Sequence, residues 1–175
     1  MHYKKIYFTV GVIAIICIGI FAWFFAFPSD KGELSSLVSP ALSDTILYTH
    51  VDPTFSFEYP SSFTAAPIEE GSGETILLQA KDNPESSFQI YISPFDENIV
   101  LDEARIKKDL PNLVVENPGE ILISEKTKAV SFTSANNLTI SSREVWFVYD
   151  GFLYQISAPL ESEASLEDIL KSWNF

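Results

Sequence analysis

The apolar pattern of the chain changes period several times, and each change predicts a different element. Residues 6–27, IYFTVGVIAIICIGIFAWFFAF, are apolar without interruption and carry no charge. A helix of that length spans about 33 Å, enough for a hydrocarbon core of about 30 Å. Lys4 and Lys5 immediately precede it and Trp23 lies near its far end. This arrangement predicts a single transmembrane helix with the N-terminus in the cytoplasm. Two other readings of the segment fit less well. A cleaved signal peptide ending at Ala26 would place Phe24 where a small residue is needed. A lipid-modified Cys17 would follow Ile16, again not a small residue, so Cys17 reads as a small apolar filler. A pilin-like head is set aside too, because 6–27 holds no acid.

Pro28 ends the apolar run, and residues 28–45 are rich in Ser and Pro, a linker pattern. The expected layout is a cytoplasmic tail (1–5), a transmembrane helix (6–27), a linker (28–45) and an extracytoplasmic domain (46–175). In that domain the period becomes two. FSFEYP (55–60) alternates Phe55, Phe57 and Tyr59 with polar residues, a half-buried strand. TILLQA (75–80) follows the Gly-Ser-Gly turn at 71–73, and SFQIYIS (87–93) puts Phe88, Ile90 and Ile92 on one face. Residues 113–117, 120–125 and 128–133 are further strand candidates, with NPGE (117–120) as a turn between the first two.

Two segments read as helices. LDEARIKKDL (101–110) has Asp102 as N-cap, a Leu101–Ile106 hydrophobic staple and Pro111 as terminator. At the C-terminus, Leu166, Ile169, Leu170 and Trp173 form one apolar helical face, with Ser165 and Asp168 as a capping box. Between them, REVWFVYDGFLYQISA (143–158) predicts a hairpin, because Asp150-Gly151 suits a type I′ turn. Val145 to Tyr149 is apolar throughout, which predicts a strand covered on both faces. Trp146, Phe147, Tyr154 and Trp173 are expected to be buried together. The fold class is α+β: an antiparallel β-sheet with packed helices.

Charge narrows the partners. Residues 28–175 hold all 24 acids against nine basic residues, a formal charge of −15. Such a surface repels nucleic acid and anionic headgroups. The exported part has no cysteine, so its core must hold it without disulfides.

Candidate chemistry is sparse. His50 is the one histidine of the domain and has no nucleophile-elbow pattern beside it, which suggests a surface or capping role at the domain edge. With no cysteine and one histidine, a zinc set is missing. The Gly-Ser-Gly at 71–73 lacks the lysine and helix of a phosphate loop. Asp96, Glu97, Asp102 and Glu103 form the densest acidic patch. It reads as a solvated helix N-terminus, with a calcium site as the alternative despite irregular acid spacing. Asn137-Leu138-Thr139 is a glycosylation triplet by pattern. No catalytic, cofactor or metal residue is assigned.

FSFEYPSSF at the opening, VWFVYDGFLYQISAP in the hairpin and SLEDILKSWNF at the close together resemble the PsbP-like domains, small exported or lumenal sandwich proteins. The resemblance covers about residues 46–175 and rests on core aromatics and a turn. It implies an antiparallel sheet with helices packed against it and a non-enzymatic binding or assembly role. The N-terminal anchor departs from the photosynthetic members, so no photosystem function and no metal ligand is carried over. The expectation is a membrane-anchored extracytoplasmic binding or assembly domain without catalysis, with a protein or envelope partner. The alternatives are a hydrolase using carboxylates or serine, or an envelope module that responds to divalent metal.

Overall fold

The computed structural model describes residues 44–84, 86–124, 126–135 and 141–175. The expected membrane helix, Cys17, the linker up to residue 43 and the Asn137 triplet lie outside them. Among the described residues no helix is long and apolar enough to cross a membrane.

Among the described residues, nine strands and two short α-helices make up the architecture. β1 (Thr45–Val51) and β2 (Thr54–Pro60) form a two-stranded antiparallel sheet. β3 (Phe63–Glu70), β4 (Gly73–Ala80), β5 (Phe88–Pro94), β6 (Glu116–Ile123), β7 (Thr127–Ser134), β8 (Ser142–Tyr149) and β9 (Phe152–Pro159) form a seven-stranded sheet. Its order is β3-β4-β5-β9-β8-β7-β6, antiparallel throughout. The helices are α1 (Glu103–Asp109) and α2 (Glu163–Ser172). The described residues are thus mostly β, with fewer helical residues than an α+β reading suggests.

The period-two pattern sorts the large sheet into two faces. On the first, Ile76, Leu78, Phe88, Ile90, Ile92, Val145, Phe147, Tyr154 and Ile156 pack against the β1–β2 hairpin and against Leu166, Ile169 and Leu170 of α2. On the second, Val130, Phe132, Trp146 and Leu153 pack against Phe95, Leu101 and Ile106, from the loop before α1 and from α1 itself. Trp146 therefore does not join Phe147, Tyr154 and Trp173. Neighbours along a strand point to opposite faces, and Trp146 stacks edge-on against Phe132 instead, 5.3 Å between centroids.

Several local expectations are met. Asp102 caps α1, its Oδ1 accepting from the Arg105 N–H at 2.7 Å, and Leu101 and Ile106 are both buried. Asp150 and Gly151 have φ of 48° and 79°, as a type I′ turn requires. β8 is buried on both faces from Glu144 to Phe147 and lies beside the central β9, but Val148 is half-buried and Tyr149 exposed, so the cover stops short of the expected Val145 to Tyr149.

Others change. Asn-Pro-Gly-Glu is not a turn between two strands. It is an irregularity inside β6, where three steps from Glu116 to Gly119 match two from Thr133 to Ser131. Asn117 takes φ 50° to absorb the extra residue. The capping box at Ser165 does not form. α2 begins at Glu163 after a 3-10 turn (Leu160–Ser162), two residues before Ser165, and its first residue pairs with Arg143 of β8 at 2.7 Å. Strand β3 is unexpected, since Ala65, Ala66 and Pro67 are poor strand formers. As an edge strand it tolerates proline. β1 likewise starts at Thr45, one residue inside the stretch read as linker.

Trp173 leaves α2 in an extended conformation and is 2% exposed. Its ring stacks on Phe55 and on Phe57, 5.0 Å from each, and meets Phe147 and Tyr154 edge-on. Asn174 then exchanges backbone hydrogen bonds with Ser56, both 2.8 Å. The side chain of Ser172 accepts from the Glu58 N–H at 2.8 Å.

Two measurements check this packing. Trp173→Ala should lower stability in urea unfolding by about 3–5 kcal/mol, the range for truncating a large buried aromatic. A variant that unfolds like the parent would mean that the C-terminal segment does not hold the hairpin. The buried Tyr154 hydroxyl has no hydrogen-bond partner among the described residues. Tyr154→Phe should therefore raise stability by about 1 kcal/mol, by removing an unpaired buried polar group. A loss of stability would reveal a partner for the hydroxyl.

Candidate functional site

The second face of the large sheet is apolar at one end and polar at the other. Strand register fixes two rows across it. One runs Leu77, Gln89, Ser157, Glu144, Phe132 and the next Thr75, Tyr91, Gln155, Trp146, Val130. The β7–β8 end lies under Phe95, Leu101 and α1. Towards β5 and β9, Gln89, Tyr91, Gln155 and Ser157 are half-buried. These side chains stand on strands bonded on both sides, so their spacing is rigid. Gly73 lets Tyr91 lie close to β4: a Cβ there would come within 2.7 Å of the Tyr91 hydroxyl and 2.5 Å of the Ile92 carbonyl oxygen.

Glu144 sits where the polar and apolar halves meet. It is buried, and its carboxyl accepts from Ser142 Oγ at 2.7 Å, Ser157 Oγ at 2.8 Å and Trp146 Nε1 at 3.0 Å. Burial pushes its pKa above the usual carboxylate range. The three donors pull the other way but do not offset the lost hydration. Alternation placed Glu144 on this face together with Trp146. The signal in the sequence was a polar residue at every second position of interior strands, at Gln89, Tyr91, Gln155 and Ser157.

His50 is not a free surface histidine. Its ring stacks on Phe55 at 4.8 Å, Nδ1 donates to the Pro53 carbonyl at 2.8 Å, and Nε2 meets Glu74 Oε2 at 3.0 Å. It cross-links the β1–β2 hairpin to β4. With both ring nitrogens engaged, it does not stand beside a serine as a general base. The Gly71-Ser72-Gly73 segment is the β3–β4 turn, with Gly71 at φ 61°.

The acidic patch is divided among cations and a cap. Glu97 takes Arg105 through two hydrogen bonds, at 2.6 and 2.7 Å, and Asp109 takes the Arg105 Nε. Glu103 pairs with Lys107 one turn along. Arg105 holds the Glu97 carboxyl below its ordinary range, chiefly through those hydrogen bonds, and its own pKa is raised by Glu97 and Asp109. Asp102 is the helix cap. Among the described residues no group of three or more His, Cys, Asp or Glu is placed to hold a metal ion.

No protein-family model matches the sequence, and no curated protein does. The fold is similar to the solution structure of cyanobacterial PsbP (CyanoP) from Synechocystis, with a TM-score of 0.53 and 9% identity. The match covers 82% of this chain and 99% of that one. The fold is PsbP-like, as the three sequence segments implied.

The Glu144 carboxyl generates a pH prediction. Its folded pKa lies above the unfolded value of about 4.3, so the native state binds the proton more tightly. That stabilisation is fully present below the unfolded value and is lost as pH rises through the folded one. Glu144→Gln, which stays neutral, should therefore lose less stability than the parent between acidic and neutral pH. Parallel curves for the two proteins in urea unfolding would show that Glu144 does not titrate with folding.

Proposed function

We propose that the chain is a membrane-anchored extracytoplasmic binding or assembly domain without catalysis. Residues 6–27 anchor it, 1–5 stay in the cytoplasm and 46–175 form an α+β sandwich facing a protein or envelope partner. The observation that carries this reading is the half-buried row of Gln89, Tyr91, Gln155 and Ser157 on rigid strands. A rigid, half-buried polar face beside an apolar one has the character of an interface rim. The likeness in fold to CyanoP is compatible with it.

A hydrolase draws no support from this geometry. The ring nitrogens of His50 bind Pro53 and Glu74, and the carboxylates of Glu97, Glu103 and Asp109 are matched to cations. A divalent-metal module would need those acids free to take a cation, and Arg105 takes Glu97 and Asp109 while Lys107 takes Glu103.

Two arms test the proposal on the full chain in native membranes. Protease added to intact spheroplasts should remove the domain and leave the anchor. Protection of the domain, or a mature N-terminus near Pro28, would overturn the topology. A photo-crosslinking residue replacing Gln155 should give a discrete adduct, and the same residue replacing Lys171 of α2 should not. Adducts of equal yield from both positions would move the interface off this sheet face.

A further inference from the structure

The β1–β2 hairpin has one unpaired side. Among the described residues β1 pairs with β2 and with no other strand, while β2 is flanked on its far side by Asn174. That flank sets the phase of the hairpin. The Ser56 N–H and C=O point to Asn174, so its partner Thr49 is not bonded to it across the hairpin. By alternation the backbone groups of Leu47 and Thr49 point outward along the free edge, and their side chains lie on the solvent face.

The three strand edges among the described residues differ in how they are protected. β3 carries Pro67 and Glu69, and β6 carries Pro118, a bulge and the charges of Glu116 and Glu120. Those devices block pairing with another strand. β1, TILYTHV, has no proline, glycine, bulge, Asp, Glu, Lys or Arg, and its His50 is turned inward to Phe55 and Glu74. It also exposes Leu47 (64%) and Val51 (83%). Around this edge lie the exposed acids Asp44, Asp52 and Glu58, the last directly opposite Leu47. None of them takes part in an ion pair among the described residues.

We propose that β1 is a docking edge for an extended basic segment of another protein, which adds to the hairpin as a third strand. Its amides and carbonyls meet those of Leu47 and Thr49, its apolar side chains cover Leu47 and Val51, and its Lys or Arg residues face Asp44, Asp52 and Glu58. Charge decides the occupant. Residues 44–175 hold 22 acids and eight basic residues, a formal charge of −14. Pairing β1 with a second copy would bring two such acidic rims together, whereas a cationic segment is attracted. The inference rests on reading the domain as a binding module and adds to it a second surface, apart from the Gln89–Ser157 face, with its own class of partner.

The test uses the full chain in detergent and a labelled peptide of alternating Lys and Val. The parent should bind it, more weakly as salt rises, with slowed amide exchange at Leu47 and Thr49. A peptide of alternating Glu and Val should not bind. Thr49→Pro removes an outward N–H at an edge position that tolerates proline and leaves the charge unchanged. It should weaken Lys-Val binding about tenfold, the loss of one hydrogen bond with its acceptor left unpaired. Leu47→Lys, at an exposed position, should weaken it by repulsion without disturbing the fold. Equal binding by the parent and both variants would overturn the edge and reduce the effect to general attraction to an acidic surface. No binding by the parent, or equal binding of the Glu-Val peptide, would overturn it as well. A concentration-dependent dimer of the parent that Thr49→Pro abolishes would assign the edge to a second copy, against the proposal. Crosslinking at Gln155 reads a different surface, so either result leaves the broader binding reading separately testable.

Discussion

The indole of Trp173 is the contact on which the small sheet depends. A lone two-stranded hairpin is marginal in water, and β1–β2 shares no strand pairing with the large sheet. It is held by side chains: Phe55 and Phe57 stack on Trp173, which leans edge-on against Phe147 and Tyr154 of the central strands. Around that stack the Asn174–Ser56 backbone bonds and the Ser172–Glu58 bond fix the hairpin's register relative to the C-terminus. His50 adds a polar link to β4 through Glu74. Because the C-terminal segment flanks β2 on one side, the β1 side of the hairpin is the one left open among the described residues. The open edge and the stack thus have the same origin.

The large sheet shows a second division. Its first face is apolar across its width and is closed by the hairpin and α2. Its second face is apolar only under α1 and the loop before it. Phe95 secures that cover, its N–H donating to the Gly151 carbonyl at 2.7 Å while the Arg105 guanidinium lies over its ring. Beyond Trp146 the face becomes polar, with Glu144 at the boundary. A carboxyl held by three donors and still raised in pKa shows how far the apolar cover extends: burial outweighs three hydrogen bonds there. The row from Tyr91 to Ser157 is the polar, half-buried part of this rigid scaffold.

The acidic composition is arranged locally more than as a site. Arg105 alone gathers Glu97 and Asp109, Lys107 takes Glu103, Lys128 takes Glu120 and Arg143 takes Glu163. These are short-range pairs on the surface, each of small value to stability. The acids at the β1 edge stand outside these pairs. Their charge is therefore available to a cation from elsewhere, in line with an apolar edge strand that no local device protects.

Elements governed by short-range rules were legible from the residues alone. Asp102 capping α1, the Asp150-Gly151 turn, the inward Phe55-Phe57-Tyr59 alternation and the doubly buried β8 each depend on a few neighbouring residues and a fixed period. Three aromatic-rich segments also carried the PsbP-like fold. What depends on distant contacts was not legible. The first residue of α2, Glu163, meets Arg143 from twenty residues earlier, and the bulge in β6 appears only in its pairing with β7. Strand β3 exists because β4 offers an edge, against its own weak propensity. Trp146 and Phe147 are adjacent in the sequence, yet the sheet sends them to different cores. The candidate site follows the same logic: its members come from β5, β8 and β9, and each is an ordinary polar residue within its own strand. Strand order alone brings Gln89, Tyr91, Gln155, Ser157 and Glu144 onto one face, because register across neighbouring strands is decided by the packing of the whole sheet and not by any one segment.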